Sequence, residues 1–366
     1  MAAVGARKYL SSSIAALVFA GVAVSVTTAL AITETPQLVT ADVETAPVSH
    51  SGDAADDPSL WVHPTNPGQS LLIGNDKQGA LEVYNLDGSL QQRITTAASF
   101  WGNSDVRQQV TIGARTLDVV AAYNGGLRLY TVDTATRTLR LITDGTGKIS
   151  TAGEGLCLYR SSTTGDLSAF VISRAGRVRQ FRIFDGDGDG LLQGQLQREF
   201  EVGSEAEGCV ADDVTGALYV SEEDVALWRY GAEPEAGNAR TEVDQVQPDG
   251  HLTYDIEGLT LVEQGTSGYL IASAQNGAKP SKSYFVVYDR QTNLYEKSFR
   301  ITSGTDADGC QRTDGITAYA GNLGAAFPQG VFVCQDNANT TPGSAGNQNF
   351  KLTRLERILE LTPITG

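Results

Sequence analysis

Six acidic residues recur along the chain at a nearly constant interval. Asp56, Asp105, Glu154, Glu207, Glu257 and Asp314 are spaced by 49, 49, 53, 50 and 57 residues. A side chain that returns at a fixed period belongs to a repeated structural unit, and such units bring equivalent positions together. Carboxylates converging in this way repel one another at reduced dielectric, so protons or bound cations must neutralise them. Oxygen ligands of this kind suit Ca2+, which accepts about six to eight in irregular geometry. Zn2+ would require His and Cys instead. The competing reading is that these acids cap strands by accepting backbone amides.

A second apolar run follows each acidic motif and ends in a short polar loop. These loops supply Lys77, Asn124, Arg174, Glu222 with Glu223, Gln275, and Gln335 with Asp336. Basic groups beside metal-loaded carboxylates describe a phosphate site, since cations and Lys or Arg together hold phosphate and stabilise charge built up in phosphoryl transfer. The competing reading of Lys77 and Arg174 is that they are surface salt-bridge partners. Other chemistries are poorly served. The chain has three His, no G-x-S-x-G nucleophile elbow, no Cys followed by Arg at the C-x5-R spacing and no Arg-His-Gly motif. Catalysis must run on carboxylates, Lys and Arg.

The units that position these residues are β-rich. Each acidic motif leads into one apolar run, then a second such as Leu71-Leu-Ile-Gly-Asn-Asp76, and most units add a third carrying an aromatic, as in Leu81-Glu-Val-Tyr84. A more polar fourth run closes most units. Four strands per unit of about fifty residues, with Gly-rich turns, predict an all-β fold: a six-bladed β-propeller whose four-stranded antiparallel blades surround a central channel. The innermost strand of each blade then lines the channel, and the six acids converge on one face. Gln37 to Val48 is expected to pair with the last blade and close the ring, and Thr353 to Glu360 is expected to form a short helix.

The chain carries 27 Lys and Arg against 43 Asp and Glu, a net charge of -16. That balance disfavours nucleic acid and anionic membrane as partners. Arg7 and Lys8 precede an apolar run that ends near Ala29-Leu-Ala31, so residues 1–31 read as a signal peptide and 32–366 as a single domain of a secreted protein, expected to be a monomer. Export permits disulfides, and Cys157, Cys209, Cys310 and Cys334 allow three pairings. The repeat favours Cys157 with Cys209 and Cys310 with Cys334, four buried thiols being the other reading. Asp185-Gly-Asp-Gly-Asp-Gly190 begins like an EF-hand loop, but its twelfth position is Leu196 rather than Glu.

The motifs Asp53-Ala-Ala-Asp-Asp-Pro-Ser-Leu-Trp-Val-His-Pro64 and Asn103-Ser-Asp-Val-Arg107 resemble the signatures of the β-propeller phytases, calcium-dependent alkaline phytases of bacteria. So do Asp255-Ile-Glu-Gly-Leu-Thr260 and Asn347-Gln-Asn-Phe-Lys351, and the resemblance spans Gly52 to Ile358. It implies hydrolysis of myo-inositol hexakisphosphate, presented as its calcium salt, by a calcium-held water attacking phosphorus in line without a phosphoenzyme. It implies a cleavage subsite and an affinity subsite for two phosphates of one substrate. By the same carry-over Asp56, Glu207, Asp255, Glu257, Asp308 and Asp314, with Gln335 and Asp336, hold or support several Ca2+ ions. Lys77, Arg174 and Glu223 surround the phosphates, and Glu207 serves both sets. This chain departs from the Bacillus-type members at Arg174, which replaces Lys, at Glu154, which replaces Tyr, and at the shortened loop Asn124-Gly-Gly126, which lacks their Arg. A secreted propeller that binds a polyanion without hydrolysing it is the alternative from another class.

Overall fold

The computed structural model describes residue 1 and residues 35–276, 279, 282–341 and 346–359. The signal-peptide reading therefore lies outside the described residues. Among these residues no helix is long and apolar enough to cross a membrane.

The described strands form six small sheets. Blade one consists of Ala55–Trp61, Leu71–Asp76, Ala80–Asn85 and Leu90–Ile94, in that spatial order, all antiparallel. Blades two to four repeat the pattern from Ser104–Ile112, Gly155–Arg160 and Ala206–Asp212 as first strands. Blade five starts at Ile256–Gln264 and blade six at Ile316–Tyr319. Each first strand contacts the first strands of both neighbours, and that of blade six contacts blade one, so the ring closes. The six-bladed propeller expected from the period is the observed fold.

The apolar core is divided into six wedges between adjacent blades. One wedge joins Trp61, Leu71 and Ile73 of blade one to Val106, Val120 and Tyr130 of blade two, and Phe285 and Phe299 of blade five meet Phe332 of blade six in another. Second strands such as Leu71–Asp76 and Leu167–Ile172 are buried at every residue, because a neighbouring blade covers each face. This explains why those runs lack the alternation of a half-exposed strand.

Ring closure divides the N-terminal segment between two blades. Val43–Glu44 pairs antiparallel with Asn349–Arg354, as expected, and supplies the fourth strand of blade six. Gln37–Thr40 runs parallel to Tyr295–Thr302 and adds a fifth strand to blade five. The helix expected over 353–360 is not formed. Asn349–Arg354 is committed to the sheet beside Val331–Asp336, leaving a single 3-10 turn at Leu355–Arg357. The apolar spacing that suggested a helix reflects burial of Leu355, Ile358 and Leu359 by that one turn. Both favoured disulfides are present, Cys157 with Cys209 between blades three and four and Cys310, in the connection from blade five to blade six, with Cys334 of blade six.

Candidate active site

The repeated motif couples a carboxylate to a glycine at the inter-blade junction. A Cβ on Gly155 would stand 2.1 Å from the Glu207 carbonyl oxygen, and one on Gly208 would stand 2.2 Å from that of Glu257. Only glycine permits each blade's backbone to approach the acidic residue of the next this closely. The acid-glycine pair therefore links the blades while setting the carboxylates at one end of the channel.

Bulges aim the carboxylates. In blade one Ala55 pairs with Asp76 and Pro58 with Gly74, so Asp56 and Asp57 oppose a single residue. The same break isolates Glu207-Gly208 in blade four and Glu257-Gly258 in blade five. Blade two differs, because its ladder is regular from Ser104 to Arg107 and breaks only at Gln108-Gln109. Asp105 consequently stays out of the cluster. It accepts from Arg107 at 2.9 Å and from the Leu158 amide at 2.8 Å, beside a second cavity of about 340 Å3 toward the C-terminal ends of the first strands. Five of the six repeated acids, not six, gather at the mouth, and the displaced bulge explains the exception.

The mouth opens into a cavity of about 520 Å3 lined by Lys77, Glu154, Glu207, Glu223, Asp255, Glu257 and Asp314, with Arg174 at its side. Glu207, Glu223 and Glu257 each offer an oxygen within 4.8 Å of the others. Lys77 Nζ lies 2.9 Å from Asp314, 3.2 Å from fully buried Asp56 and 3.4 Å from Asp53. Burial opposes its charge, but Asp56, Asp314 and Glu207 outweigh burial and raise its pKa. Arg174 is three-quarters exposed and pairs with Glu205.

The carboxylates are poised to be neutralised. Burial first, then repulsion from neighbouring acids, pushes Asp56 to about 7 against the pull of Lys77. Burial and Glu205 push Glu223 to about 7. Glu207 and Glu257 are raised well above the ordinary range by burial and by Asp56 and Asp314 respectively. Both Asp56 oxygens are buried, with Lys77 at 3.2 Å from Oδ1 and no well-aligned hydrogen bond to either. An all-oxygen donor set with such carboxylate atoms fits a hard divalent cation.

Three residues of the expected metal set stand elsewhere. Gln335 is buried behind the site and accepts the Asp314 amide at 3.0 Å, so it supports that carboxylate. Asp308 and Asp336 surround the fully buried ammonium of Lys351, which also meets Glu44 at 2.7 Å. Burial pushes the Asp308 carboxyl up, but hydrogen bonds from Lys351 and Thr340 prevail and hold it below the usual range. Of the loop residues, Asn124 is buried and Glu222 accepts from Trp228 and Ser204, leaving Glu223 to face the cavity. In the Asp185 turn the three carboxylates also approach within 4.8 Å, but Asp185 already accepts from Arg115 and the Gly188 and Gly190 amides.

Sequence reasoning missed Glu205 and Arg312, both of which line the cavity. Each stands two residues before a repeated acid, Glu207 and Asp314, as Asp255 stands before Glu257. A charged residue two positions before each of these acids is a signal available from the motif itself, although Asp255 and Arg312 reach the cavity through a left-handed rather than an extended backbone. Asp255 holds a left-handed backbone, φ 58°, which Asp tolerates better than most residues.

The phytase family model matches residues 7–362. A 3-phytase of Bacillus subtilis (strain 168) is 40% identical over 332 residues, covering 88% of this chain and 85% of that protein. Among solved structures, a gluconolactonase from Xanthomonas campestris aligns with TM-score 0.49 and 17% identity over 86% of this chain and 96% of its own. The BBS1N chain in its complex with ARL6DN aligns at 0.46 and 12%, over 83% and 79%. Neither structural likeness bears on chemistry. The match that does is continuous from the first blade to the last, and by it the chain belongs to the phytase family.

Proposed function

We propose that this protein is a secreted, calcium-dependent phytase that hydrolyses myo-inositol hexakisphosphate, as its calcium salt, to lower inositol phosphates and inorganic phosphate. The observation that carries the reading is one cavity in which Glu207, Glu223 and Glu257 converge opposite Lys77. Glu207, Glu223, Glu257, Asp255 and Asp314 would hold calcium, with Asp56 behind them. Bound there, calcium would neutralise the carboxylates and polarise phosphate oxygens and water.

The chain's own groups supply the rest. Lys77, held charged by Asp56 and Asp314, donates to the phosphate under attack. Glu223, facing the cavity beside Glu207 and Glu257, takes the proton of the attacking water. Arg174 and Arg312, at the sides of the cavity, receive a second phosphate of the same substrate. Secretion is supported by two disulfides, which persist in oxidising compartments.

Phosphate release from calcium phytate by purified protein, with and without a chelator, tests the reading. Release that chelation abolishes and calcium restores is expected. Tight binding of phytate with no release would favour the non-catalytic alternative.

A further inference from the structure

Among the described side chains lining the active cavity, all are charged or carboxamide except Phe100. It keeps 40% of its surface in solvent and sets its ring edge against Tyr123, centroids 6.3 Å apart. An isolated exposed aromatic is ordinary; one placed in a charged cavity by a dedicated scaffold is not. That scaffold is Asn124. Its amide donates to the Ala98 and Phe100 carbonyls at 3.0 and 2.7 Å, while its oxygen accepts from Thr96 and from Arg128 at 2.6 and 3.0 Å. The next residue, Trp101, is fully buried and its amide donates to the Lys77 carbonyl at 3.0 Å. Phe100 is thereby fixed to the turn that carries the phosphate-facing lysine.

A hydrocarbon face beside Lys77 has no use for phosphate oxygens. It suits the part of a cyclic polyol phosphate that phosphates do not cover, the C–H bonds of the ring. We infer that Phe100 is a specificity residue that packs against the carbon ring of a cyclic polyol phosphate and favours it over acyclic phosphate monoesters. The inference rests on the phytase reading above and assigns a role to the shortened Asn124 loop: it positions an aromatic wall instead of supplying a cation.

Steady-state kinetics of the calcium-loaded protein test it, with phytate and glycerol 2-phosphate as substrates and Phe100→Ala and Phe100→Tyr as variants. Phe100→Ala is expected to raise KM for phytate roughly 5- to 20-fold with kcat within about 2-fold, from lost ring contact. Glycerol 2-phosphate hydrolysis should change less than about 2-fold, and Phe100→Tyr should restore the phytate KM. Equal losses on both substrates would overturn the inference, reducing Phe100 to a prop for Lys77, and so would an unchanged phytate KM. A wild-type protein that releases no phosphate from phytate would sink the underlying reading itself, an outcome visible before any variant is compared.

Discussion

Lys77 Nζ lies 2.9 Å from Asp314 Oδ2, joining the first blade to the last across 237 residues of sequence. The same ammonium meets Asp56, whose carboxylate is fully buried. Lys77 is thus a fixed charge at the seam of the ring, aimed into the cavity. Lys77→Ala is expected to lower turnover on calcium phytate roughly 30- to 1000-fold, the loss of a charge-assisted contact used mainly in the transition state. Added calcium should not restore it, because an ion cannot reproduce the placement of that donor. Near-wild-type turnover would reopen the non-catalytic reading.

Calcium should stabilise the folded ring by mass action, by about 2.7 kcal/mol when free ion is a hundredfold above its dissociation constant. Glu207→Gln removes one of three converging oxygens and should reduce the calcium-dependent rise in Tm while sparing the Tm in EDTA. An identical wild-type melting curve with and without EDTA would exclude a calcium cluster at the mouth.

The carboxylate cluster also fixes a pH dependence. In chelated protein Glu223 keeps its proton to about 7, against 4.5 for an unperturbed side chain, and Asp56 likewise to about 7 against 3.8. The folded state therefore binds protons that the unfolded chain releases. Its advantage is whole below about 4 and is lost as pH rises through about 7. Tm in EDTA should fall between about pH 5 and pH 8, with a shallower slope in Glu223→Gln. With calcium the trend should reverse, because the metal binds only the deprotonated carboxylates. A Tm in EDTA that climbs over this range would contradict the arrangement.

The repeat was legible because a propeller blade cannot bury its faces alone, so sequence periodicity and blade number are the same quantity. Which acids converge was less legible. Asp56, Glu207 and Glu257 are aimed by bulges, and Asp105 is diverted because its bulge falls later, a register difference that depends on the partner strand. Asn124 and Glu222 occupy the expected loops but turn inward, each captured by neighbours from other strands. Asp308 and Asp336 carry the residue types of a metal site, yet a lysine from the adjacent strand stands among them. Nothing in their spacing announces Lys351.

That lysine gives a separable test. Lys351 is fully buried, and removing it leaves Glu44, Asp308 and Asp336 facing one another. Lys351→Met is expected to cost about 3 to 5 kcal/mol by chemical denaturation, the penalty for leaving buried charge unpaired. The folded fraction should retain phytate turnover, since the site lies outside the catalytic cavity. Calcium that selectively restores stability to the variant would show that these oxygens can act as metal ligands once the ammonium is gone.

The inter-blade glycines link fold to catalysis most directly. A Cβ on Gly155 would meet the Glu207 carbonyl oxygen at 2.1 Å and its carbon at 2.9 Å, both backbone atoms that cannot rotate aside. Gly155→Ala must therefore separate the first strands of blades three and four, close to the Cys157 and Cys209 disulfide that resists the separation. Overpacking of this kind costs about 1 to 3 kcal/mol. The displaced backbone carries Glu207, whose carboxylate is one of the three converging in the cavity. Gly155→Ala should therefore lower both denaturation midpoint and phytate turnover, and should weaken the calcium dependence of turnover in the direction of Glu207→Gln. A variant that loses stability yet keeps wild-type calcium dependence would show that the glycine serves packing alone, and that the carboxylates are positioned by their bulges without help from the seam.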